Sequence, residues 1–134
     1  MIALDTNVLV RFIVRDEERQ TAAATRLIED RCSAQTPGLV SPVVLCELVW
    51  VLTRGYGYGR EMVARVLRRI LTVQELQVPN PSLIFRAVRL FEEGPADFAD
   101  YLIGLSNREA KADATFTFDL KAARSDLFRL LDVV

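Results

Sequence analysis

The chain has 134 residues, about half of them hydrophobic and a quarter charged, with seventeen basic residues against eighteen acidic ones and no histidine. This length predicts one domain spanning 1–134, and this balance excludes intrinsic disorder, collagen-like sequence and a disulfide-dense miniprotein. A net charge of −1 gives no global positive field for nucleic acid, so any such site is local. The absence of histidine excludes Ser-His-Asp and Cys-His catalysis, histidine general-base chemistry and most zinc sites.

Fifteen of the basic residues are arginine and two are lysine. Composition alone favours a codon bias over bidentate phosphate recognition as the reason. Cys32 and Cys46 make no CxxC pair and fit small apolar residues of a reducing compartment, with a bridge left open. Met1 to Asp5 lacks the basic and apolar regions of a signal peptide. The longest apolar stretch, Val43 to Leu52, contains Glu47 and is too short to span a bilayer. The expectation is a soluble cytoplasmic protein with no membrane association.

In chain order, Ile2 to Leu4 predicts a first short strand ending at Asp5. Thr6 or Asn7 is placed to cap a helix through Val14. Glu17 to Cys32 has helical spacing, with Ala23, Leu27 and Ile28 on one side. Leu39 to Ser41 is a strand candidate, and Ser41 with Pro42 opens a helix to about Arg54. Gly55 to Gly59 is a turn. Arg60 to Thr72 is amphipathic, with Met62, Val63, Val66, Leu67, Ile70 and Leu71 against Arg65, Arg68 and Arg69. Leu76 to Val78 is a strand candidate. Asn80 caps a helix from Pro81 to near Gly94, and Asp97 caps one ending near Lys111. Strands at Ala114 to Phe118 and Leu130 to Val134 complete the chain. Short apolar strands alternating with helices imply an α/β fold with a parallel sheet covered on both faces.

Four acids stand in apolar sequence. Asp5 ends Ile2-Ala3-Leu4, Glu47 lies within Val43 to Leu52, Asp100 within Phe98 to Leu105, and Asp119 ends Thr115 to Phe118. Acids buried in such surroundings are costly unless paired or metal-bound, and no basic residue stands between Asp5 and Arg11 or between Val43 and Leu52. Asp5 and Asp119 fall at strand C-termini, the edge where open parallel sheets bind ligands. Converging carboxylates without histidine form an oxygen-only site suited to Mg²⁺ or Mn²⁺. Each acid taken singly also fits a surface charge, a helix cap or a salt bridge.

Leu4-Asp5-Thr6-Asn7-Val8-Leu9 resembles the opening motif of PIN-domain nucleases. Glu47 within Leu45-Cys46-Glu47-Leu48 resembles their second acid, and Asp97-Phe98-Ala99-Asp100-Tyr101-Leu102-Ile103 the segment of their third. Thr117-Phe118-Asp119-Leu120-Lys121 resembles their Thr-x-Asp segment. Order and spacing agree over essentially the whole chain, and the compact length is similar to that of VapC toxins of toxin–antitoxin pairs. The resemblance implies a three-layer α/β/α fold with a short central parallel sheet. It implies metal-dependent hydrolysis of RNA, leaving a 5′-phosphate, with Mg²⁺ or Mn²⁺ held by Asp5, Glu47, Asp100 and Asp119. Asp97 is a further ligand candidate, three residues before Asp100, with helix capping as its alternative role. Thr6, Asn7 and Thr117 resemble groups that orient carboxylates or water; capping and turn pairing are their alternatives. The departures are modest: Tyr101 and Gly104 stand where many relatives have alanine or another small residue, and neither removes a ligand.

Arg11 and Arg15, spaced one helical turn apart, are candidate phosphate contacts. Arg65, Arg68 and Arg69 form another basic face; solvated helix surfaces are the ordinary reading of both clusters. Gly55-Tyr56-Gly57-Tyr58-Gly59 follows a helix, so it is no dinucleotide fingerprint. A helix–helix turn explains it better than two base-stacking tyrosines. Trp50 with Val63, Val66 and Ile70 fits either core packing or a partner groove. The resemblance implies a VapB-like antitoxin whose C-terminal segment packs around this helix pair, and a homodimer. Two other classes compete. Asp5-Thr6-Asn7-Val8 superficially resembles a haloacid-dehalogenase phosphatase motif, with Asn7 in place of its second aspartate. A non-catalytic acid-rich α/β interaction module is the other, and the complete acid set argues against it.

Overall fold

The start of the chain is extended because it pairs. In the computed structural model, which describes residues 1–133, the Leu4 amide donates to the Leu39 carbonyl and the Leu39 amide to the Ile2 carbonyl, at 2.9 and 2.8 Å. The expected first strand is thus a single parallel bridge, Ala3 to Leu39. The chain divides into two compact units, Met1–Pro81 and Ser82–Val134.

In the first unit, Asp5 turns the chain into helix α1, Thr6–Val14, by accepting the Thr6 amide on its own carboxylate. The cap is therefore Asp5 and not Thr6 or Asn7, because the strand pairing already ends at Leu4. Helix α1 stops at Arg15, whose left-handed backbone (φ 60°) returns its amide to the Arg11 carbonyl, a conformation usually left to glycine. Helix α2, Glu18–Arg31, is capped by Glu17 and buries Thr21, Ala24 and Ile28. The apolar stripe is shifted from the expected one: Ala23 is exposed and Leu27 half-buried.

Strand β1, Gly38–Leu39, pairs in parallel with β2, Leu76–Gln77. Both are shorter than expected, at two residues each. Between them Ser41 caps helix α3, Pro42–Trp50, with proline in its first turn. The helix then widens into a π turn, Val51–Gly55. The chain reverses through Gly57 (φ 70°), the Tyr58 amide reaching back to the Leu52 carbonyl at 3.0 Å. Helix α4, Arg60–Thr72, follows as expected and buries Val63, Ala64, Leu67 and Ile70. Leu9, Val40, Leu45, Leu48 and Leu52 are among the fully buried side chains of this unit.

The second unit takes helix α5, Pro81–Glu93, from Ser82 on. It adds helix α6, Phe98–Glu109, and strands β3, Thr115–Thr117, and β4, Phe128–Leu130. The two strands pair in parallel, and a short 3-10 turn, Ala122–Arg124, lies between them in sequence. The last strand is earlier than the expected Leu130 to Val134; Val134 itself lies outside the described residues. Phe91 and Phe98 meet edge to face with centroids 6.2 Å apart. Tyr101 is buried and its hydroxyl accepts the Ala96 amide at 3.2 Å, so it serves the core. Among the described residues every strand pairing is parallel and helical segments separate the strands in sequence, which is the expected α/β class.

Gly104 explains its own departure from alanine. A Cβ there would sit 2.8 Å from Leu127 Cβ and 2.9 Å from the Phe128 ring, closer than packed carbon atoms come. Gly104→Ala is expected to destabilise the protein by about 1–3 kcal/mol, the usual penalty of overpacking. Urea denaturation checks this, and an unchanged midpoint would show that the Leu127–Phe128 segment yields freely.

Candidate functional site

Capping in the first unit brings two of the singled-out acids to one cavity. Asp5 stands at the head of α1 and Glu47 in the second turn of α3, and helices α1 and α3 pack together. Asp5 Oδ1 accepts the Thr6 amide at 2.7 Å. The Thr6 hydroxyl donates to Glu47 Oε1, also at 2.7 Å, so one threonine couples acids 42 positions apart. A cavity of about 560 Å³ opens beside them, lined by Asp5, Thr6, Asn7, Val10, Arg11, Glu47, Trp50, Val51 and Tyr56.

Both Asp5 and Glu47 are exposed, as are Asp97 and Asp119, while Asp100 is half-buried. The expectation of buried acids is met in part at Asp100 and fails at Asp5, Glu47 and Asp119, at Glu47 for a geometric reason. Apolar sequence neighbours occupy other faces of the same helix, so Glu47 faces outward while Leu45, Leu48 and Val49 fill the core.

In the second unit the acids gather around the start of α6. Asp97 is its N-cap, and the Asp97 amide donates to Asp100 Oδ2 at 3.3 Å. Burial pushes the Asp100 carboxyl above its ordinary pKa; the Asp97 backbone bond opposes this, and the negative charges of Asp97 and Asp119 add to it. Asp119 Oδ1 accepts the amides of Lys121 and Ala122 at 2.8 and 3.2 Å, and the Asp119 amide donates to the Thr117 hydroxyl at 3.0 Å. Within either unit, among the described residues, no group of three or more aspartate, glutamate or cysteine side chains is placed as a metal cage.

Arg11 is anchored more heavily than its sequence shows. Its Nη1 reaches Asp16 Oδ1 at 2.9 Å and the Tyr56 hydroxyl at 3.1 Å, and its Nε donates to Gln20 Oε1 at 2.7 Å. The Tyr56 hydroxyl closes the network by donating to Asp16 Oδ2 at 2.8 Å. Arg15 does not continue the helical face of Arg11. Its left-handed backbone turns it away, and its guanidinium lies 5.8 Å from the Phe12 ring centroid.

Sequence reasoning missed Asp16, Gln20 and Tyr56 as holders of Arg11, and read Trp50 as core packing or as part of a partner groove with α4. Trp50 instead lines the cavity of Asp5 and Glu47. The available signal was its i,i+3 spacing from Glu47, which puts both on one helix face. The apolar groove of this unit, about 710 Å³, is lined by Leu9, Phe12, Ile13, Ile28, Met62, Val66 and Ile70, with Glu29, Arg65, Arg69 and Glu75 among its charged residues. Cys32 and Cys46 are both free thiols, and burial raises the pKa of each.

Acids at a strand end, on an outward helix face and at a helix start form the pattern of an α/β nuclease rather than of a histidine-based hydrolase. The PIN domain family model matches residues 2–126, and the chain belongs to that family. It is VapC-like: it is 29% identical over 102 residues to a VapC ribonuclease of Aquifex aeolicus (strain VF5), covering 76% of this chain and 75% of that protein. No solved structure matches it significantly. Among the described residues no helix is long and apolar enough to cross a membrane.

The Asp16 carboxyl is held below its ordinary pKa, first by the Tyr56 hydroxyl; burial opposes this, and a backbone hydrogen bond and Arg11 add to the lowering. A pKa depressed by folding stabilises the fold above the unfolded-state pKa, and that contribution is lost as pH falls through the folded one. Tyr56→Phe is therefore expected to move the Asp16 midpoint upward in a carboxyl-detected NMR titration. An unmoved midpoint would show that the phenol does not hold this carboxylate.

Proposed function

We propose that this chain is an endoribonuclease that hydrolyses RNA phosphodiester bonds as the toxin of a VapBC-type pair. The observation that carries the reading is the Asp5–Thr6–Glu47 linkage, in a chain matched by the PIN domain family over 2–126. The match runs through both units and supports one PIN-like domain over 1–134.

Asp5, Glu47, Asp100 and Asp119 are proposed to hold Mg²⁺ or Mn²⁺. The donor set fits: every atom offered is a carboxylate oxygen, the ligand these hard cations prefer. A bound cation of this kind eases deprotonation of water and offsets charge on the attacking and leaving oxygens. The chain's own residues fix the acids. Asp5 is oriented by the Thr6 amide, Glu47 by the Thr6 hydroxyl, and Asp119 by the Lys121 and Ala122 amides. Burial first, and then the charges of Asp97 and Asp119, raise the Asp100 pKa, and this supports a place for a cation beside it. Asp97 is assigned to capping α6, and Asn7 and Thr117 to the surroundings of Asp5 and Asp119. Arg11 supplies positive charge beside Asp5 and Glu47.

A VapB-like antitoxin is the proposed partner, and the apolar groove lined by Phe12, Ile28, Met62 and Ile70 supports it. A homodimer acting in the cytoplasm completes the reading.

Asp5→Asn and Asp100→Asn separate chemistry from fold. Asparagine retains an oxygen to accept the Thr6 or Asp97 amide, and it caps helices as well as aspartate does. Each variant is expected to lose cleavage of a mixed RNA panel in Mg²⁺ or Mn²⁺ while keeping its circular dichroism spectrum and melting temperature. Thr6→Val is expected to lower the rate by about 10–100-fold, the usual cost of removing a group that orients a ligand. Full activity in either asparagine variant, or in chelator, would sink the assignment.

A further inference from the structure

The cavity beside Asp5 and Glu47 carries two features that holding a cation does not explain. Trp50 presents a large aromatic side chain that is 64% exposed, on the helix face of Glu47. Arg11 is braced by Asp16, Gln20 and Tyr56 through Nε and Nη1, and its Nη2 donates no hydrogen bond to a described residue. A guanidinium braced through two of its nitrogens, with the third unused among the described residues, keeps donors for a phosphate. An exposed indole is a stacking platform for a base. Their joint occurrence on one cavity wall matches the two faces of a nucleotide.

We propose that this cavity is a nucleotide subsite, in which one base of a single-stranded RNA stacks on Trp50 and Arg11 engages the adjoining phosphate. The subsite rests on the ribonuclease reading and deepens it. Stacking accepts any base, because every base has an aromatic face, so the subsite distinguishes single strands from duplexes rather than one base from another. Arg11 also counters the repulsion that Asp5 and Glu47 impose on an incoming phosphate. Tyr56 is a positioning residue that acts through Arg11.

Trp50 is the only tryptophan of the chain, so intrinsic fluorescence reports from this wall. Full-length Asp5→Asn protein is titrated in EDTA with hexa-adenylate RNA and with an abasic ribose-phosphate hexamer of equal length. The expected result is saturable quenching by hexa-adenylate and much weaker binding of the abasic strand. Placed in the same background and followed by anisotropy of labelled RNA, Trp50→Leu weakens binding about tenfold, and Trp50→Phe restores most of it. Tyr56→Phe, tested in the otherwise wild-type enzyme, raises KM for cleavage and leaves kcat in place.

RNA binding that neither quenches Trp50 nor weakens in Trp50→Leu would overturn the subsite. So would a concentration-dependent blue shift without RNA accompanied by dimer formation in sedimentation, which would give this wall to a second copy of the chain. Wild-type cleavage is measured in parallel with Mg²⁺. Cutting without quenching removes the subsite alone, whereas neither cutting nor binding removes the ribonuclease reading and the subsite with it.

Discussion

The hydrogen bond from the Thr6 hydroxyl to Glu47 Oε1 is the constraint on which the first unit's site depends. The Ala3–Leu39 bridge lies just before Asp5, which is still extended as the helix cap, so that Thr6 falls at the first position of α1. The hydrogen bond also needs α1 and α3 packed closely, and buried Leu9, Leu45 and Leu48 supply the apolar contact area. A threonine hydroxyl donates to only one acceptor at a time. Committing it to Glu47 leaves Asp5 to be oriented by the backbone amide instead, and a helix start offers that donor without further cost.

The same economy recurs in the second unit. Asp100 takes the Asp97 amide, and Asp119 takes the amides of Lys121 and Ala122. These donors belong to turns or helix starts, where backbone amides lack helical partners. The Asp97 amide favours the ionised form of Asp100. At Asp100 burial and the nearby acids still prevail, because one long bond at 3.3 Å offsets less than desolvation adds.

How much of this was legible in the sequence depended on whether the information was local. Helix α4 was readable to the residue, because its amphipathic stripe is an intrinsic periodicity. The Ser41-Pro42 helix start was readable from capping chemistry alone. The strands were overestimated because two to three residues of pairing leave no alternation to detect. The four acids stand in segments that resemble PIN-domain motifs, and the burial expected of them is met in part at Asp100 and not at Asp5, Glu47 or Asp119. Glu47 is exposed within an apolar run because a helix turns each successive residue to a different face.

The network around Arg11 was not legible for a different reason. Tyr56 follows a π turn, and no propensity rule marks the point where α3 widens from four-residue to five-residue hydrogen bonding. Had α3 continued as a regular helix, successive residues would each have turned by about 100°, and Tyr56 would have faced a different direction. The widened turn changes that angle and is followed by the reversal at Gly57. The tyrosine hydroxyl then meets both Arg11 and Asp16, 45 and 40 positions away. A glycine-rich stretch that reads as a simple connection thus helps to hold an arginine that lines the cavity of Asp5 and Glu47. Position along the chain says nothing of this; the irregular backbone decides it.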